Sequence, residues 1–222
     1  MKKLKKFIAD NSLLLVFIFL FLGFLAGQVF SGAAAYNDTR AVHGLPGIGY
    51  WCYVATGNFL QGVFANWQAA ILQLGSLILF SVFLRARGAA HSIDPDKPRE
   101  KTRSRWSLGR SRTRASGKTA SWLYRNSLSI AFTVLFFAAF ILHLLSGAAA
   151  YNEQLALSHR PPLSVAAFFV SSQFWFSTLQ TWEAEYMAIA LYIFLTIFLR
   201  QEGSPESKPV EAKDSDTGKA NK

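Results

Sequence analysis

Four stretches of the chain are apolar over lengths that fit a membrane-spanning helix. Residues 13–35 and 127–150 are the longest, and neither holds a formally charged side chain. Residues 67–84 and 182–199 are shorter, and the second stretch carries Glu183 and Glu185 near its start. A helix needs about 20 mostly apolar residues to cross the hydrocarbon core of a bilayer. The pattern therefore predicts an all-α membrane protein with four transmembrane helices.

The chain repeats itself at a constant spacing of 115 residues. Residues 11–88 align without a gap on residues 126–203, with 23 identities in 78 positions. The string Ser-Gly-Ala-Ala-Ala-Tyr-Asn occurs in both copies, and Trp67 matches Trp182. This self-similarity predicts a tandem duplication of a two-helix unit. Because each unit has an even number of spans, we expect parallel repeats and not the inverted repeats that underlie many alternating-access transporters.

Composition divides the chain into four segments. The two membrane repeats are predicted at residues 1–88 and 121–203. Residues 89–120 are rich in Ser, Arg, Lys and Pro, and residues 204–222 are polar with mixed charge. Such compositions bury too little apolar surface to fold. We therefore predict a disordered basic linker and a disordered tail, both on the cytoplasmic side.

The distribution of Lys and Arg predicts the orientation of the spans. Residues 2–6 hold four Lys, and the loop from Arg85 to Arg125 holds 12 Lys or Arg against three acidic residues. The two opposite loops, residues 36–66 and 151–181, have four formal charges in total. Positive charge near span ends stays in the cytoplasm. Both termini are thus predicted on the cytoplasmic side of the membrane.

The net charge of +10 indicates a partner, and its position decides which one. Most of the charge lies in the loop of residues 85–125, next to predicted spans. Contact with nucleic acid, or a phosphorylation switch at residues 110–116, could account for it. Binding to anionic lipid headgroups of the cytoplasmic leaflet needs fewer assumptions. We expect the bilayer as partner and no nucleic acid.

The beginning of the chain also imitates a cleaved signal peptide. Lys2, Lys3, Lys5 and Lys6 precede an apolar run that leads to three consecutive Ala residues at 33–35. The same small-residue string recurs at residues 146–152, where no cleavage site is expected. The recurrence favours retention of the segment as a transmembrane helix.

The predicted outer loops are aromatic, which is unusual for polar connectors. Residues 49–54 read Gly-Tyr-Trp-Cys-Tyr-Val, and residues 165–170 are apolar as well. One interpretation is an interfacial helix with Trp and Tyr at headgroup level. The other is a re-entrant loop lining a polar cavity, which is less favoured because its backbone needs protein or water as hydrogen-bond partner.

A stripe of small residues runs along the first predicted span. Gly23, Gly27 and Ser31 recur every four residues. Small residues at this spacing let another helix approach the backbone closely. The stripe predicts a helix-packing face, used either within the chain or in a homo-oligomer.

Polar side chains at membrane depth are costly and are candidate functional sites. Gln28 aligns with His143 across the repeat, whereas Gln73 has no polar counterpart and Glu185 aligns with Ala70. His143 and Glu185 could relay a proton or hold a cation, since imidazole titrates near neutrality. The alternatives are a structural hydrogen bond between helices, or a Glu favoured by a helix start. The candidate polar path comprises Gln28, Gln73, His143 and Glu185.

No sequence motif indicates catalysis. The chain has no metal-binding cluster of Cys or His, no Gly-rich phosphate loop and no nucleophile elbow. We therefore expect neither an enzyme nor a bound cofactor or metal.

Several segments together resemble a known family. They are Asn66-Trp67-Gln68, the run Thr-Trp-Glu-Ala-Glu-Tyr at 181–186, and Phe-Leu-Arg-Gln-Glu-Gly-Ser-Pro-Glu-Ser-Lys-Pro at 198–209. The chain is similar to an uncharacterised family of bacterial membrane proteins, a domain of unknown function. The family pattern near each second span resembles Asn-Trp-Gln-Ser-Glu-Phe, and only Glu185 keeps its carboxylate here. The resemblance implies a membrane-interface motif at Asn66, Trp67, Gln68, Trp182, Glu183 and Glu185, but no activity.

Together with the resemblance, the sequence predicts a multi-pass protein of a bacterial inner membrane that acts structurally or by binding an unidentified protein partner. Trp67 and Trp182 would anchor the second span of each copy at the outer interface. The alternative is a small ion or proton channel or transporter that uses polar residues of the second copy.

Overall fold

The computed structural model describes residues 2–96 and 118–218, and the side chains of residues 2 and 118–121 are outside that description. Within these ranges the chain is helical and contains no strand. Most of the predicted linker, residues 97–117, lies outside the described part. The helices are α1 (Lys2–Asp10), α2 (Ser12–Val42), α3 (Tyr50–Val54), α4 (Gly57–Phe80), α5 (Lys118–Arg125), α6 (Ser127–Leu157), α7 (Val165–Phe169) and α8 (Ser172–Phe198).

Four of these helices, α2, α4, α6 and α8, are long and apolar enough to cross a membrane. The prediction of an all-α protein with four candidate transmembrane helices is confirmed. Helix α2 has 31 residues and so extends about 46 Å at 1.5 Å per residue, well beyond a hydrocarbon core of about 30 Å.

The predicted starts of the second and fourth spans were wrong. Helices α4 and α8 begin at Gly57 and Ser172, ten residues before the predicted starts at Trp67 and Trp182. The extra turns contain no charged side chain, and the hydroxyl of Thr56 accepts a hydrogen bond from the backbone N–H of Phe59 at the start of α4. A hydroxyl acceptor at this position stabilises a helix start. Both Trp side chains therefore lie well inside their helices.

The elements recur at the spacing of the sequence repeat. Helix α6 begins and ends 115 residues after α2, and α7 does the same with respect to α3. In the first copy, the side chain of Asn37 donates to the carbonyl of Ile48 and accepts from its N–H, at 2.9 and 2.8 Å. In the second copy, Asn152 and Leu163 form the same two bonds at the same distances. A side-chain amide can supply both partners that an extended residue needs, so each Asn fixes the loop that follows its helix.

The short helices α3 and α7 each pack one aromatic side chain against a Gly of the long helix that precedes them. The hydroxyl of Tyr53 occupies the space that a Cβ of Gly32 would need, and the ring of Phe168 lies 3.0 Å from the position of a Cβ at Gly147. Tyr53 and Phe168 are buried, whereas Trp51 is 89% exposed. The aromatic segments therefore contribute one side chain to packing and leave others outside.

The chain forms two compact units, and each one draws on both halves of the sequence. Unit 1 consists of the described residues of Met1–Val63 and Leu142–Val170, and unit 2 of those of Phe64–Ile141 and Ser171–Lys222. In unit 1, the first residue of α4, Gly57, touches the backbone of α6 at Ser146 and Ala150. In unit 2, Gly75 of α4 packs against Phe132 of α6.

The segment after α8 has a defined path up to residue 218, although its composition predicts disorder. It consists of turns around Lys208, which is 1% exposed. The backbone N–H of Gly88 donates to the hydroxyl of Thr217, and that of Gly218 donates to the carbonyl of Ala89. Hydrogen bonds to the loop after α4 and one buried cation organise this polar segment, in place of an apolar core.

Candidate functional site

An apolar groove runs between α4 and α8 within unit 2. Its volume is about 680 Å³, within the range of roughly 300–1,000 Å³ that is usual for small-molecule sites. Its walls are branched apolar side chains on two facing helices, and its end is closed by the loop after α4 and by the segment after α8. The apolar wall residues include Leu74, Leu77, Ile78, Leu84, Ile189 and Ile193.

The closed end of the groove holds a polar cluster of three side chains. The imidazole Nε2 of His91 lies 2.8 Å from a carboxylate oxygen of Glu206, and the hydroxyl of Tyr192 donates to the same oxygen at 3.3 Å. The ring of His91 stacks on that of Tyr192 with 5.9 Å between centroids. Because His91 and Glu206 are exposed, their attraction adds little stability. The cluster instead fixes the segment after α8 against the end of the groove.

The cation at the same end of the groove is Arg85. Arg85 lines the groove, and its guanidinium donates a long hydrogen bond of 3.5 Å to the carbonyl of Asp94. By contrast, Arg87 pairs with Asp96 at 2.7 Å and Arg200 pairs with Asp214 at 2.9 Å. The Arg87 guanidinium lowers the pKa of the Asp96 carboxyl, mainly through their hydrogen bond. Among the described residues, no carboxylate forms an ion pair with Arg85.

Three further polar side chains line the other end of the groove, deeper in the helices. The hydroxyl of Tyr186 on α8 donates to the hydroxyl of Ser76 on α4 at 3.0 Å. Gln73 lies one turn before Ser76 and also lines the groove. Hydrogen bonds of this kind join helices at membrane depth, where water is not available as an alternative partner.

Lys208 holds together the segment after α8, which borders the polar end of the groove. Its ammonium group donates to the carbonyls of Lys213, Asp214 and Asp216 at 3.1 to 3.2 Å. Burial lowers the pKa of this ammonium, with a smaller contribution from the Arg200 charge, whereas the charges of Asp214 and Asp216 act in the opposite direction. A buried ammonium with three acceptors keeps the turns of this segment together.

A domain of unknown function, DUF6766, matches residues 4–219, which is nearly the whole chain. The chain belongs to this family. The resemblance to an uncharacterised family is therefore confirmed. No curated protein and no solved structure matches the chain.

The residues of the membrane-interface motif all belong to unit 2, but they differ in burial and in their neighbours. Gln68 is fully buried, Trp67 is 41% exposed and Glu185 is half-buried. Trp182 and Glu183 line a second, more open depression beside Tyr186. Asn66 lies on α4 one residue before Trp67. Anchoring at the outer interface stays a prediction for this motif.

The residues of the predicted polar path belong to different units. His143 is buried in α6 of unit 1, and in the same unit the amide of Gln28 lies 3.3 Å from the position of a Cβ at Gly62. Gln73 and Glu185 belong to unit 2, and only Gln73 lines the groove. A contact between His143 and Glu185 stays a prediction.

The predicted packing face has no neighbour among the described residues. A Cβ added at Gly23 or Gly27 would meet nothing within 4 Å. The hydroxyl of Ser31 donates to the carbonyl of Gly27 in its own helix. Pairing of this face with a second copy of the chain stays a prediction.

Sequence reasoning missed two polar clusters. In unit 1, the hydroxyl of Tyr36 donates to the carboxylate of Glu153, and Arg40 lies 3.8 Å from the same oxygen. The Tyr-Asn pair repeated in both copies was the available signal. In unit 2, the cluster of His91, Tyr192 and Glu206 was missed, and its available signal was the polar string at 198–209.

Proposed function

We propose that this protein is a non-enzymatic binding protein of the bacterial inner membrane, which holds an amphiphilic molecule of the bilayer in the groove of unit 2. The observation that carries this proposal is the groove itself, with apolar walls on α4 and α8 and a polar cluster at its closed end. An amphiphile matches both parts, because its chain and its headgroup need these two environments. A structural or partner-binding role is compatible with such a ligand.

The proposed topology places the polar end of the groove at the cytoplasmic face. Both termini are inside in this proposal, and the excess of Lys and Arg in residues 2–6 and 85–125 supports it. The basic loop would bind anionic lipid headgroups next to the same end. The recurrence of helices and Asn-loop bonds at 115 residues supports an origin by tandem duplication.

The test is whether the purified protein carries an amphiphile that occupies the groove. The full chain is purified in detergent, and bound molecules are identified by mass spectrometry after denaturation. Ile193→Trp fills the groove, whereas Leu195→Trp adds the same bulk to an exposed position outside it. We expect an amphiphile in the wild type and in Leu195→Trp, and its loss in Ile193→Trp. Equal retention by both variants, or none in the wild type, would contradict the proposal.

A channel or transporter is the second candidate function, favoured by the burial of His143 in the apolar run of α6 at residues 134–145. Ionisable residues at membrane depth commonly mark ion pathways. Proton and ion flux is measured in proteoliposomes with the wild type and with the double variant His143→Ala, Glu185→Ala at equal density. Flux that is lost in the variant would favour this function, and absence of flux across a broad ion panel would remove it.

A further inference from the structure

We propose that the ligand of the groove is an anionic phospholipid, with an acyl chain between α4 and α8 and its phosphate at Arg85. This inference rests on the proposed function and adds the chemical class of the ligand and the residue that selects it. The basic loop of residues 85–125 is expected to meet anionic headgroups as a whole, and the inference here is that Arg85 binds the phosphate of one lipid held in the groove.

The length of the groove fits one leaflet of a bilayer. On α8 its lining extends from Tyr186 to Thr196, a rise of about 15 Å. The hydrocarbon core of a bilayer is about 30 Å thick, so each leaflet contributes about half of that. If the headgroup of a lipid lies at the closed end, the end of its acyl chain lies near the hydrogen bond between Tyr186 and Ser76.

Charge at the closed end selects an anionic headgroup. The carboxylate of Glu206 is bound to His91, and Arg87 and Arg200 have their own acidic partners. Arg85 lines the groove with no such partner among the described residues. A guanidinium binds phosphate oxygens well because its N–H groups form charge-assisted hydrogen bonds in a fixed fork. Arg85 is therefore the cation at this end that we expect to bind a lipid phosphate.

The anionic selectivity has a direct experimental test. The delipidated full chain is titrated in detergent with phosphatidylglycerol or phosphatidylcholine, and the bound lipid is counted by native mass spectrometry. We expect the wild type to prefer phosphatidylglycerol by about fivefold, the value of one Arg near an anionic headgroup. Arg85→Gln should lose this preference. Arg87→Gln is the matched control, because Arg87 is two residues away, pairs with Asp96 and does not line the groove.

The possible failures can be told apart. Equal binding of both lipids by the wild type, or an unchanged preference in Arg85→Gln, would overturn this inference. If Ile193→Trp then still blocks both lipids, the proposed function stands without the anionic selectivity. Binding of phosphatidylglycerol that survives Ile193→Trp would place the lipid outside the groove and overturn both. Since Arg85 is exposed, its substitution to Gln should not impair folding.

Discussion

Gly57, the first residue of α4, permits a close approach of α4 to the backbone of α6 in unit 1. A Cβ added there would lie 2.6 Å from the backbone nitrogen of Ala150, 2.7 Å from the carbonyl oxygen of Ser146 and 2.9 Å from the Cβ of Ala149. Two of these three atoms belong to the backbone of α6 and cannot rotate away. Small residues at 146–150 bring that backbone within reach, which explains why α4 begins with Gly at this place.

We expect Gly57→Ala to destabilise the protein by about 1–3 kcal/mol, the usual cost of overpacking, with a value near the upper end because the helix must shift as a whole. A chain of this length loses about 2–4 °C in Tm per kcal/mol. The expected decrease in Tm is therefore on the order of 5–10 °C. The control is Gly23→Ala, because a Cβ at Gly23 meets nothing within 4 Å. The control should leave Tm unchanged or raise it slightly, since Ala favours a helix more than Gly does.

The assay is thermal unfolding of both variants and the wild type in the same detergent, followed by intrinsic Trp fluorescence. Unfolding of the region around α4 should report through Trp67, which lies ten residues after the substituted position. A Gly57→Ala protein with the Tm of the wild type would refute the contact with α6. An equal loss in Gly23→Ala would show that the effect does not depend on the close approach.

Three further predictions concern the loops and the segment after α8. Asn152→Ala removes two hydrogen bonds to Leu163 and should lower the free energy of unfolding by about 1–3 kcal/mol in the same melts, whereas the exposed control Gln154→Ala should not. Lys208→Met removes the ammonium that binds three carbonyls, so cleavage after Glu211 by a Glu-specific protease should become about tenfold faster, and Lys213→Met should have no such effect. Burial lowers the pKa of the Lys208 ammonium in the folded segment. The unfolded segment therefore binds the proton of Lys208 more tightly than the folded segment does. The stability of the folded segment should accordingly rise with pH between the folded pKa and the ordinary value of 10.5. The rise should be absent in Lys208→Met, and a rise of the same size there would assign the pH dependence to other groups.

The sequence by itself determined the class of the protein and its four apolar helices. Apolar length is a local property, and the energetic cost of leaving such a segment in water does not depend on its neighbours. The constant spacing of 115 residues also predicted where helices α6 and α7 begin and end once α2 and α3 were known. Family membership could be recognised from the residues around Trp67 and Trp182, because such motifs can be identified without knowledge of their contacts.

Only the tertiary structure decided the groove and its polar end. His91 and Glu206 are 115 residues apart in the chain, and Gly88 and Thr217 are 129 residues apart. Composition predicts disorder for the segment after α8 because its few apolar residues cannot form a core. It acquires a defined path because the buried ammonium of Lys208 and the loop after α4 supply hydrogen-bond partners. Contacts of this kind depend on which distant groups the helices bring together, and the local sequence does not determine which groups these are.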